Sequence, residues 1–167
     1  MQKAILLLID YPKNWLEKPS QFFSLLNKKH TSSITLVLDR AMNSGFPVLA
    51  NIWINDDLSE EESDDLRNLE ELLESYSIAY SFCDRESESG WETNRLKATF
   101  DAYPNLHSVL KIRPEDFLAP SQEALSALEE DCKEDYSFSI NEPVGLNYEV
   151  FSRACIEKLM DLNAAHL

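Results

Sequence analysis

Cysteine is scarce in this chain and poorly placed for a framework: Cys83, Cys132 and Cys155 are odd in number, far apart and without a C-x-x-C pair. That excludes a disulfide scaffold and gives no sign of a zinc site. Histidine is equally sparse, and the scatter of His30, His107 and His166 indicates no metal centre, although spacing alone leaves Asp and Glu ligands open. No apolar run approaches the roughly 20 residues of a membrane-spanning helix. Lys3 precedes a short strand with no small-residue cleavage site, so the chain reads as cytoplasmic. Positive charge is also short: 15 Lys and Arg face 30 Asp and Glu, a net charge of -15. Phosphate backbones and anionic membrane surfaces would be repelled, so neither nucleic acid nor membrane is expected as a partner. Repeats, linkers and low-complexity tracts are absent, and 167 residues suit one domain, 1–167, with a sizeable core.

What is present begins with "KAILLLIDYPKNWL", an apolar run that ends on Asp10. Continuous Ala, Ile and Leu mark a strand buried on both faces of a parallel sheet, and the carboxyl ends of such strands form the ligand crevice of open α/β folds. Asp10 is therefore a site candidate, with a turn cap as the plain alternative. In "HTSSITLVLDRAMNSG", Ile34, Leu38 and Ala41 recur at helical spacing and Gly45 stops the helix. "FPVLANIWI" is a second apolar strand, which makes a strand, helix, strand crossover.

Leu66, Leu69, Leu73 and Tyr76 form one stripe of an acidic surface helix over 59–77. "SIAYSFCDRES" fits a short strand, Trp91 to Tyr103 a helix, and "HSVLKI" a strand ending near Lys111. Ser121 caps a further helix. "YSFSINEPVG" is expected as the last strand and "LNYEVFSRACIEKLMDLN" as the last helix, with Asn147 as N-cap and Asn163 as stop. The expected fold is α/β: an open parallel sheet of about five strands with helices on both faces.

Asp10 and Lys111 end two parallel strands with opposite charge, which places them on one edge of the sheet. Together they suit proton transfer to a bound small molecule, or they form an ordinary ion pair.

The order of these pieces resembles the isochorismatase-like cysteine hydrolases, a Rossmann-like family that includes nicotinamidases, carbamoyl-sarcosine amidases and isochorismatases. "LLIDYPKNW" supplies Asp10 and Trp15, "NSGFPVLANIWIND" the entry into the second strand, and "LKIRPEDF" Lys111 and Phe117. The resemblance implies Asp10 and Lys111 as catalytic residues, Trp15 and Phe117 in the pocket, and oxyanion amides at Gly145, Leu146 and Asn147. It also implies a cysteine at the start of the last helix, where counting from Gly145 finds Phe151. Cys155, one turn further along, reads as a core residue or as a displaced nucleophile.

Two readings follow from the resemblance. One is a divergent, shortened hydrolase acting on an amide or vinyl ether. The other is an inactive binding or assembly module of the same fold. Neither calls for a cofactor or a metal. Self-association into a homo-oligomer is expected, because family members commonly associate and a shortened sheet leaves apolar surface to cover.

Overall fold

The structure, a computed structural model, describes residues 2–10, 33–54, 58–84, 91–114, 116, 118–130, 136–139 and 148–164. Six strands, β1 (Lys3–Asp10), β2 (Val48–Ile54), β3 (Ala79–Asp84), β4 (Ser108–Ile112), β5 (Tyr136–Phe138) and β6 (Glu149–Ser152), form one sheet in the order β3-β2-β1-β4-β6-β5. Strands β1 to β4 run parallel. Strand β6 runs antiparallel to β4, and β5 antiparallel to β6. The expected α/β sheet with helices on both faces is therefore present, with one strand more than expected and an antiparallel pair at one end.

Central position explains the composition of β1. Flanked by β2 and β4, it buries every residue from Ala4 to Ile9, so both faces must be apolar. Its side chains alternate between two cores. Ile5, Leu7 and Ile9 meet helices α1 (Ser33–Met42), α2 (Glu60–Ser75) and α4 (Gln122–Glu129) through Val37, Leu38, Leu69, Leu73 and Leu128. Ala4, Leu6 and Leu8 meet helices α3 (Trp91–Ala102) and α5 (Arg153–Ala164) through Leu96, Phe100 and Ile156.

Local chemistry sets the helix ends. Gly45, at φ +83°, takes the left-handed turn after α1 that a side chain would strain. Ser59 and Glu62 form a reciprocal capping box at α2, and the Ser121 hydroxyl accepts the Ala124 N–H at α4. Arg153 donates to the carbonyls of Phe100, Tyr103, Pro104 and Leu106, so a cation closes the carboxyl end of α3.

The chain's last strand and helix depart from the sequence reading. Residues 149–152 form β6, and α5 begins at Arg153 with the Ser152 hydroxyl accepting the Cys155 N–H as its cap. Val150 and Phe151 bury themselves on opposite faces of the sheet, the period of a strand and not of a helix start. Cys155 accordingly sits in the first turn of α5, half-buried against the second core. Helix α5 ends at Ala164, one residue beyond Asn163. No helix among the described residues is long and apolar enough to cross a membrane.

Candidate functional site

The carboxyl edge of β1, β2 and β4 carries a chain of charged side chains. At its dry end Arg95, on the inward stripe of α3 with Leu96, Thr99 and Phe100, reaches under the sheet edge. Its Nη1 donates to Asp10 Oδ1 at 2.5 Å, its Nε to Asn51 Oδ1 at 2.6 Å, and its Nη2 to the carbonyls of Ile9 at 2.9 Å and Asn51 at 2.6 Å. Asn51 in turn donates to Ser81 Oγ and Cys83 Sγ, so the network crosses β1, β2 and β3. Burial pulls the Arg95 guanidinium below its ordinary pKa, and the hydrogen bond to Asp10 opposes that pull. The acid that ends β1 is thus one half of a buried pair, with a side chain 13% exposed against 2% for Arg95.

The wetter end is built on β4. Lys111 Nζ donates to Glu92 Oε1 at 2.5 Å and also pairs with Glu149 of β6. Arg113, just past β4, donates to Glu92 Oε2 at 2.7 Å and to Asp10 Oδ2 at 3.4 Å. Asp10 and Lys111 are therefore not each other's partners. They belong to one network, linked through Arg113 and Glu92. The strand register explains why: Lys111 lies opposite Leu6 on β1, four residues before Asp10.

Tyr136 completes the arrangement by donating its hydroxyl to Glu149 Oε1 at 2.6 Å. Burial, together with that bond, raises the Tyr136 phenol well above its ordinary pKa, so it stays a donor. Burial pushes Glu149 upward, but the bonds from Lys111 and Tyr136 outweigh it and hold the carboxyl below its ordinary range.

A cleft of about 310 Å³ opens over this end. Lys111 and Arg113 contribute cations to it, Glu149 and Asp116 carboxylates, and Tyr136, Phe138 and Tyr148 aromatic rings. Phe138 stacks on Tyr136 with ring centroids 5.2 Å apart and leaves half its surface exposed. Reciprocal bonds between Ser139 and Tyr148 tie the two sides of the β5–β6 wall together.

Phe151 is a buried residue of the second core, packed against Tyr136 with ring centroids 4.8 Å apart. It lies opposite Val109 and Tyr136 in the sheet, with Lys111 Nζ 5.8 Å above its ring. It does not stand at the head of a helix, so it occupies no nucleophile position. Trp15, Phe117, Gly145, Leu146 and Asn147 lie outside the described residues.

Arg95, Asn51, Glu92, Arg113, Tyr136 and Glu149 escaped the sequence reading. Two signals for them were present: a lone amide inside "VLANIWI", and a cation on the apolar stripe of α3.

A mostly parallel sheet closed by an antiparallel pair, with a charged cleft at its carboxyl edge, defines the class as an α/β protein of Rossmann-like fold. Rv0371c from Mycobacterium tuberculosis matches with a TM-score of 0.58 at 14% identity, covering 95% of this chain and 75% of that one. Its manganese complex matches with a TM-score of 0.58 at 13% identity, over the same shares. The 4-diphosphocytidyl-2C-methyl-D-erythritol synthase of Anaerococcus prevotii matches with a TM-score of 0.55 at 15% identity, covering 95% of this chain and 76% of that one. These likenesses are of fold. No protein-family profile matches the chain, and no curated protein sequence does.

The comparisons overturn the resemblance to isochorismatase-like hydrolases. The fold neighbours belong elsewhere, and residues 149–152, read as the start of the nucleophile helix, are an antiparallel strand. The hydrolase reading, for amide or vinyl ether substrates, falls with it. The reading of an inactive binding or assembly module of the same fold is not specifically supported by these neighbours.

Proposed function

We propose that the chain binds a nucleotide, or a metabolite linked to one, in the cleft beside Lys111. The phosphates lie on Lys111 and Arg113, and the base lies against Phe138 and Tyr148. One observation carries this reading: cations and aromatic rings share a single cleft at the carboxyl edge of the sheet, where open α/β folds take their ligands. Ammonium and guanidinium groups suit phosphoryl oxygens, and exposed rings suit the faces of bases.

Likeness of fold to a synthase named for a diphosphocytidyl product makes cytidine nucleotides the first ligands to try. Lys111 and Arg113 touch the ligand in this reading, whereas Asp10 positions Arg113 and binds Arg95 behind it. In a group transfer, Lys111 and Arg113 would meet the charge that develops on the leaving phosphate.

The manganese in one fold neighbour raises the question of a metal here. The donor set does not fit one. Among the described residues no three His, Cys, Asp or Glu side chains converge on a point. Asp10, Glu92 and Glu149 each hold a Lys or Arg instead.

Calorimetric titration with CTP, CDP and UDP tests the proposal. Saturable binding is expected, weakened at least about tenfold by Lys111→Ala and by Phe138→Ala. Absence of binding by every nucleotide, or undiminished binding by both variants, contradicts it.

A further inference from the structure

Glu92 holds its two cations in an unusual way. One carboxylate oxygen takes Lys111 at 2.5 Å and the other takes Arg113 at 2.7 Å, so a single anion bridges an ammonium and a guanidinium through separate oxygens. A phosphoryl group uses two of its oxygens in the same manner. The bridging acid comes from the first turn of α3, whereas both cations come from the end of β4 and line the cleft.

Each cation also has a second carboxylate, Glu149 for Lys111 and Asp10 for Arg113. Glu92 is thus an anion whose departure strands neither cation. With its side chain 27% exposed, it has solvent within reach.

We infer that Glu92 is a resident counter-anion: the phosphoryl group of the ligand displaces its carboxylate from between Lys111 and Arg113, without help from a divalent cation. The inference rests on the nucleotide reading for the rest of the ligand, but not for the anion itself. It accounts for how a chain of net charge -15 can hold a phosphate at all. Three of its 15 Lys and Arg, namely Arg95, Lys111 and Arg113, gather at one edge, where the carboxylates of Asp10, Glu92 and Glu149 pair with them until a stronger anion arrives. A divalent ion at the same place would face those cations, whereas a phosphate would use them. Swapping one bridging anion for another makes or breaks no covalent bond, and Glu92 leaves ionised into solvent.

The test is calorimetric titration of wild type and Glu92→Gln with two probes, CDP and inorganic pyrophosphate, each with EDTA and again with Mn²⁺. The variant's fold is checked by circular dichroism, and Glu92→Ala serves as a second variant of the same design. Both variants should bind pyrophosphate and CDP more tightly than wild type, by about tenfold or 1.4 kcal/mol. EDTA should leave all affinities unchanged.

Equal or weaker binding of pyrophosphate by both variants overturns the inference, as does a loss of binding in EDTA. Tighter pyrophosphate binding by the variants with no added affinity for CDP upholds the counter-anion and defeats the nucleotide reading. Failure of wild type and both variants to bind either probe defeats both.

Discussion

Arg95 and Lys111 are cations on the same sheet edge, each held by short bonds to carboxylates, yet their surroundings assign them different work. Arg95 has a side chain 2% exposed and donates to one carboxylate, one side-chain amide and two backbone carbonyls. Every one of those acceptors belongs to the sheet, so the guanidinium acts as a staple across β1 and β2. Lys111 is nearly as buried, at 10%, but its two carboxylates, Glu92 and Glu149, are 27% and 32% exposed, and Lys111 and Glu149 line a cleft. Ion pairing is common to both ends. Access of a competing anion is what separates them, and access is set by whether the partners are backbone or solvent-facing side chains.

Replacing the staple should have the largest effect. Arg95→Met takes one donor from Asp10 and removes the guanidinium from the buried Asn51 amide and the Ile9 and Asn51 carbonyls, and a loss of about 3–5 kcal/mol is expected from urea unfolding. A variant as stable as wild type would erase the distinction between the two ends. Lys111→Met should cost less, about 1–2 kcal/mol, because Glu92 and Glu149 can turn toward water. Its main consequence is instead the loss of nucleotide affinity.

The pH dependence of Glu149 sharpens the contrast further. Burial raises its pKa, but Lys111 and Tyr136 bring it, on balance, below the ordinary 4.5. A carboxyl lowered on folding stabilises the protein fully above its unfolded value, and that contribution disappears as pH falls through the folded value. The stability gap between wild type and Glu149→Gln, measured by urea midpoints, should therefore be constant near neutrality and narrow below about pH 4.5. A gap that widens in acid would mean that Lys111 and Tyr136 do not hold the carboxylate.

The smallest effect belongs to an ion pair outside the edge. Lys97 and Asp101, with side chains 46% and 58% exposed, face each other one turn apart on α3. Lys97→Ala should change stability by less than about 0.5 kcal/mol. A larger loss would show that exposure does not discount pairing in this protein.

Much of this frame is legible in the sequence where a residue's role depends on its own neighbours along the chain. The buried strands announce themselves as unbroken apolar runs in "KAILLLID" and "FPVLANIWI", and the caps at Gly45 and Ser121 are local. Asp10 and Lys111 stand out because they interrupt or close such runs. Their partners do not, because Arg95 reaches Asp10 from a helix 85 residues away and Glu149 meets Lys111 across an antiparallel pair.

The β5–β6 pair is hidden for a related reason. Strands of three and four residues carry too little periodicity to outweigh a helical reading of "EVFSRACIEKLM", and only pairing with β4 decides it. That misplacement also turned Phe151, a core residue of β6, into a supposed nucleophile position.

The most direct test of the account is a heteronuclear NMR titration of the labelled protein with CDP, following backbone amides. The account predicts shifts concentrated at residues 111–113, 136–139 and 148–149, with Glu92 responding as its carboxylate leaves. Shifts confined to the far edge at β3, with the β4 to β6 end silent, would contradict it.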